Sequence, residues 1–191
     1  MASPSTPDMR VAPETLSFRS AQQDDLPELV RMLADDPLGA HRESPGPTVL
    51  QDYMAAFAAI DRDPNNELVV AVLDGRSVGM LQITFIPYLT YQGRWRALVE
   101  GVRVSSSARS RGIGKALLGW AIERARSRGC VMVQLTTDRA REDALRFYER
   151  LGFVPSHHGM KLYLQCPNPE PARAAVASSA LRGLRGPTDP T

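Results

Sequence analysis

The stretch of this sequence best suited to chemistry is Arg109-Ser110-Arg111-Gly112-Ile113-Gly114-Lys115, three cations and two glycines ahead of an apolar run. Glycine lets a ligand approach the main chain closely, and a helix that begins here would point free N–H groups at an anion. Phosphate is the natural guest. Two familiar phosphate loops are excluded by specific residues. A Walker loop ends Gly-Lys-Ser/Thr after an earlier glycine; here Gly114-Lys115 is followed by Ala116, and position 109 is Arg. A dinucleotide fingerprint needs a third glycine at position 117, which is Leu. The plain alternative is a strand-to-helix turn with no ligand.

Such a loop needs a strand to deliver it and a helix to leave it. Alternation of β-branched and polar residues predicts a strand over 96–106, with Gly101 as a bulge or close approach. Ile113, Leu117, Trp120 and Ala121 at helical spacing predict a helix over 113–129, stopped by Gly129. A buried strand over 130–137 and a helix over 139–152, with Ala140, Ala144, Phe147, Tyr148 and Leu151 as its stripe, follow. Upstream, the pattern predicts a strand at 15–21, a helix at 24–36 capped by Asp24 with Leu26, Leu29, Val30 and Leu33 inward, and a loop at 41–47. A second helix at 48–62 and a hairpin at 67–87 turning at Asp74-Gly75 complete that half. A last strand is expected at 160–165. The tails, 1–14 and 167–191, are rich in Pro, Ser, Thr and Ala and predict disorder. One α/β (α+β) domain over 15–166 is expected, with helices on both faces of a mixed sheet.

Strand, Arg-x-x-Gly-x-Gly, amphipathic helix, strand and a helix ending in "RFYERLGF", in that order, resemble the GNAT superfamily of N-acetyltransferases. The likeness covers roughly residues 16–166. "VRVSSSARSRGIGKALL" is similar to the acyl-CoA motif and "ALRFYERLGF" to the second motif. The resemblance implies a single domain with a centrally splayed sheet of about six to seven strands and about four helices. It implies acetyl-CoA as the cofactor, its pyrophosphate lying on Arg109, Ser110, Arg111, Gly112, Ile113, Gly114, Lys115 and Ala116. Main-chain groups of Val102, Arg103 and Val104 would pair with the pantetheine arm. Tyr148 corresponds to the general acid, or is core packing. Glu100 occupies the place of a general base, or is an exposed acid that attracts a cationic substrate. Arg141 stands where the family often has Asn, and either reaches a phosphate or faces solvent.

The implied reaction is acetyl transfer to an amine. An alkyl ammonium with a pKa of about 10 must lose a proton before it attacks. The thioester oxygen needs a donor as it gains charge, for which an amide near Val102 is placed, and the departing thiolate needs a proton. Further candidates for the acceptor wall are His41, Arg42, Glu43, Tyr88, Tyr91 and Trp95, which otherwise pack or mediate a dimer. His157 and His158 read as loop or wall residues.

Composition bounds the rest. The chain has 191 residues and a formal net charge of +2, so global charge names no partner. Locally, Arg103 to Arg128 holds seven Arg/Lys against Glu123 alone, a field suited to a polyanion. No helix-turn-helix pattern or aromatic stacking platform accompanies it, so no nucleic-acid partner is expected. Cys130 and Cys166 have no metal spacing, and no metal is expected. Without an apolar span, a cytoplasmic protein with no membrane partner is expected, with a small-molecule amine as acceptor and a homodimer as an open arrangement. The competing readings are a longer acyl donor and an acyl-CoA-binding sensor without turnover.

Overall fold

A computed structural model describes residues 15–35, 40, 43, 47–162 and 164. The predicted tails, most of the 41–47 loop including His41 and Arg42, and Cys166 lie outside the described residues. Two compact units divide the chain, 1–155 and 156–191. The first holds, in order, β1 (Leu16–Ser20), α1 (Leu26–Ala34), α2 (Pro47–Arg62), β2 (Asn66–Leu73), β3 (Arg76–Pro87), α3 (Thr90–Gly93), β4 (Trp95–Val104), α4 (Ile113–Ser127), β5 (Cys130–Leu135) and α5 (Glu142–Arg150). The strands form one mixed sheet in the order β1-β2-β3-β4-β5, antiparallel except for the parallel β4–β5 pair.

The near-continuous apolar run of β2, "NELVVAVL", follows from burial on both faces. Val69, Ala71 and Leu73 join Leu81, Ile83, Phe85, Ala97 and Val99 against Ile113, Leu117, Leu118, Ala121 and Ala125 of α4. Val70 and Met80 meet Leu29 and Met32 of α1 on the opposite face. The β2–β3 turn carries positive φ at both Asp74 (48°) and Gly75 (78°), the hairpin geometry expected of Asp-Gly. Gly79 lets α4 settle on the sheet: a Cβ there would lie 2.9 Å from Leu117 Cδ1 and 3.1 Å from the Arg103 carbonyl.

Several expectations need correction. The described sheet has five strands, not six to seven, and the described helices number five. Residues 160–162 carry no regular structure: alternating Met160 and Leu162 supply the period of a strand, but a strand also needs a hydrogen-bonding neighbour. Asp24 does not cap α1. Its neighbour Asp25 does the local work, its carboxylate accepting from the Gln22 amide (2.8 Å), from Arg19 (2.6 and 2.8 Å) and from Ser77 Oγ (3.0 Å). Helix α5 starts at Glu142 rather than 139, because Asp138 turns the chain first: its carboxylate accepts from the Ala140 N–H at 2.9 Å and its carbonyl from the Arg141 N–H at 3.0 Å. β5 is not fully buried; Val131 is 50% exposed.

Candidate active site

The site grows out of a failure of pairing. β4 and β5 stay in register from Trp95↔Cys130 to Val99↔Leu135 and then part. From Glu100 to Val104, β4 pairs with β3 only among the described residues, and within them its main-chain groups on the β5 side face no strand. Gly101 marks the point with φ +60°, and the β3–β4 register slips between Met80↔Arg103 and Gln82↔Glu100. That is the bulge the glycine predicts; a side chain in this conformation would be strained. Glu100, just before the bulge, is exposed. It shares a sheet face with Leu98 and Arg96, opposite the face that Ala97 and Val99 bury against α4.

After β4 the chain makes a short 3-10 turn at Ser106–Ala108 and enters the glycine loop. Ser110 (φ 64°) and Gly112 (φ 78°) are both left-handed, and Gly112 is the N-cap of α4. The Ala116 N–H donates to the Gly112 carbonyl at 3.0 Å, the first bond of the helix. The amides of Ile113, Gly114 and Lys115 precede it and belong to the unsatisfied first turn, where the helix dipole favours an anion. Gly114 packs closely: a Cβ would sit 3.5 Å from Phe147 Cζ and 3.8 Å from Val104 Cγ2, so α4, β4 and α5 converge there. These open strand groups and helix amides fit an extended amide-bearing arm ending in phosphates, the form of coenzyme A.

Arg109 is occupied elsewhere. Its Nη2 donates to the Asp35 carbonyl (2.7 Å) and carboxylate (3.0 Å), and its Nε to the Val104 carbonyl (3.2 Å). Asp35 also accepts from the Ser106 N–H at 3.0 Å. This latch ties the end of α1 to the loop, so Arg109 shapes the loop. Nothing in the spacing of the sequence pairs residue 109 with residue 35.

Tyr148 lies on α5 between Phe147 (centroids 5.4 Å apart) and Phe153 (5.9 Å, edge-on). Burial pushes its phenol above the ordinary value, while the guanidinium groups of Arg103 on β4 and Arg141 at the N-cap of α5 pull it back. The hydroxyl is therefore protonated at neutral pH, as a proton donor must be. The structure thus brings Arg103, Arg141 and Tyr148 into one electrostatic neighbourhood across two elements.

Among the acceptor-wall candidates, Glu43 accepts from Tyr53 Oη at 2.7 Å. Trp95 packs on the main core. Tyr88 and Tyr91 pair at 5.6 Å, and the Arg96 guanidinium lies 4.5 Å over the Tyr88 ring. His157 Nδ1 is 2.8 Å from Ser156 Oγ in the 156–191 unit. Among the described residues no cluster of three metal-ligating side chains occurs, and no helix is long and apolar enough to cross a membrane.

Comparison with known proteins agrees with this geometry. Residues 26–153 match the profile of the acetyltransferase (GNAT) family. The chain is 36% identical over 109 residues to aminoalkylphosphonate N-acetyltransferase of Salmonella typhimurium, covering 56% of this chain and 70% of that protein. It is 40% identical over 90 residues to glucosamine 6-phosphate N-acetyltransferase of Trypanosoma brucei brucei, covering 47% of this chain and 59% of that one. Its fold matches a crystal structure from Bacillus halodurans C-125, titled a transcriptional regulator, with a TM-score of 0.76, 55% identity, 78% of this chain and all of that one.

Proposed function

The chain belongs to the acetyltransferase (GNAT) family and is an acetyltransferase; we propose that it moves an acetyl group from acetyl-CoA to the primary amine of a small molecule by direct attack. The observation that carries this reading is the parting of β4 from β5 immediately before the α4 entry. It supports an extended cofactor arm along Glu100–Val104, with its phosphates on the amides of the glycine loop. Bound there, acetyl-CoA supplies an activated acyl group.

The chain's own residues supply the rest. A main-chain N–H near Val102, stiffened by the bulge, stabilises developing negative charge on the acyl oxygen. Glu100, on the open face of β4, takes the proton that the acceptor ammonium must lose. Tyr148, kept protonated by burial, gives a proton to the departing sulfur. Arg141, at the N-cap of α5, adds positive charge to the same neighbourhood. The two curated relatives are named for acceptors that are small amines bearing a phosphorus oxyanion, which supports a small-molecule acceptor over a protein.

The name of the Bacillus relative raises a nucleic-acid reading, and the fold weighs against it. Of the basic segment, Arg109 faces Asp35, Arg124 and Arg128 face Glu67, and Arg126 faces Glu123. Much of the field that the sequence suggests is neutralised within the chain.

Replacing Tyr148 by Phe tests the assignment, because it removes one hydroxyl and keeps the ring contacts. Turnover is expected to fall about 10²–10⁴-fold, with acetyl-CoA affinity by calorimetry unchanged. Full turnover in that variant would remove Tyr148 from the chemistry. Cofactor binding without thiol release across a broad amine panel would favour a sensor.

A further inference from the structure

Arg96 differs from the other arginines that hold the fold together. Arg19, Arg109, Arg124 and Arg128 each lie against a carboxylate. Arg96 is half-buried, yet among the described residues no carboxylate lies within ion-pair distance of it. Its guanidinium is held by neutral groups: Nη1 donates to Gln134 Oε1 at 2.7 Å, and the Tyr88 ring lies 4.5 Å beneath Cζ. Its Nε is sealed from solvent with no acceptor. A half-buried charge without a counter-ion and a buried donor without an acceptor both carry a cost, and such groups call for an explanation.

The explanation lies in where the cation sits. Positions 96, 98 and 100 share one face of β4, so Arg96 stands on the same face as Glu100, about 13 Å along the strand at ~3.3 Å per residue. Gln134 pairs in register with Leu98, between the two. Its bond to Nη1 therefore draws the guanidinium toward the Glu100 end. Beside it the chain is strained: Tyr91 (φ 53°) and Gln92 (φ 65°) are consecutive left-handed non-glycine residues. Strain of this kind concentrates at binding and catalytic sites. It sets the Tyr88–Tyr91 pair beside the cation.

We propose that Arg96, oriented by Gln134 and Tyr88, is a specificity-determining residue that holds an oxyanion on the acceptor. The acceptor is then an amine carrying a phosphonate, phosphate or carboxylate group. Its charged end rests on the guanidinium and its amine extends along β4 toward Glu100 and the parted strands. The proposal deepens the acetyl-transfer reading and rests on it for the direction in which the amine points. With Nη1 donating to Gln134 and Nε sealed from solvent, the Nη2 edge of the guanidinium meets such an oxyanion, held in a fixed plane that a lysine ammonium lacks.

The test compares 2-aminoethylphosphonate with propylamine in the wild-type protein and in Arg96→Met and Arg96→Lys. Thiol release measures turnover, and titration followed by nuclear magnetic resonance measures binding of ethylphosphonate, which has no amine. Arg96→Met is expected to lower kcat/KM for the aminophosphonate about 10- to 100-fold, chiefly through KM, and to leave propylamine unchanged. Arg96→Lys should recover only part of the loss. Ethylphosphonate should bind the wild-type protein and lose about the same factor in Arg96→Met. Equal losses for both amines, or no loss for either, would overturn the proposal. If neither amine is acetylated and thiol release also fails across a broad amine panel, the acetyl-transfer reading fails, and ethylphosphonate binding still decides the role of Arg96: binding that depends on Arg96 supports it, and absent or Arg96-independent binding overturns it.

Discussion

The two faces of the central sheet are built from the same strands and do different work. On one face Val69, Leu81, Ile83, Phe85, Ala97 and Val99 meet the apolar side of α4, and Phe85, Leu81 and Ile83 are almost wholly buried. On the other, the same strands place a row of polar groups. Gln82 Nε2 and Thr84 Oγ1 donate to Asn66 Oδ1 at 2.9 and 2.7 Å, Arg96 donates to Gln134, and Glu100 stands exposed beyond them. On this second side α1 buries Val70 and Met80, and Phe57 of α2 packs against the same cluster. The period of two in a strand thus keeps one face apolar throughout, while the other is close-packed beneath α1 and hydrogen-bonded beyond it.

That comparison breaks first on its apolar side. Phe85→Ala removes a ring that packs on the core and lies 4.3 Å from the Arg128 guanidinium. A loss of about 3–5 kcal/mol in unfolding free energy is expected, read by urea denaturation. A loss under 1 kcal/mol would mean that this face is not the structural one.

Glu100→Gln probes the opposite face. Turnover should fall about 100-fold or more if Glu100 takes the acceptor's proton, while the urea midpoint barely moves, because an exposed strand residue buries little. A large stability change with turnover intact would reverse the division between the faces.

Asp25→Asn gives the smallest effect and concerns the edge of the sheet. Hydrogen bonding from Arg19 first, then from the Gln22 amide and Ser77, holds the Asp25 carboxyl below the ordinary range against the opposing cost of burial. Its folded value is depressed, so its stabilisation is present above the unfolded value near 4 and is lost as pH falls through the folded value. Arg19 is 41% exposed, and after screening about 1 kcal/mol is expected at neutral pH. The wild-type and variant stabilities, followed by urea midpoint against pH, should converge in acid. Curves that stay parallel down to pH 2 would assign the difference to something other than this carboxylate.

Much of this architecture was legible in the residues. The alternation in 67–87, the Asp74-Gly75 turn, Gly101 at its bulge and the helical spacing of Ile113, Leu117 and Ala121 all act between near neighbours, where geometry follows from covalent period and steric allowance. The glycine loop and Tyr148 stood out for the same reason, since each belongs to a short motif. Residues 160–162 misled because alternation describes a strand's faces and not its partner.

What the sequence by itself determined is therefore local: which segments are helix or strand, where the chain must turn through left-handed conformations, and where a glycine loop enters a helix. Tertiary structure alone decided the pairings across long separations. It gave Arg109 to Asp35 and Arg124 to Glu67, set Gly79 beneath Leu117, parted β4 from β5 after Val99, and left Arg96 facing Gln134 and Tyr88 with no acid beside it among the described residues. The physical reason is that a charge or a small residue acquires its role from whatever the fold brings within a few ångströms, and that neighbour is chosen by packing the whole sheet against its helices.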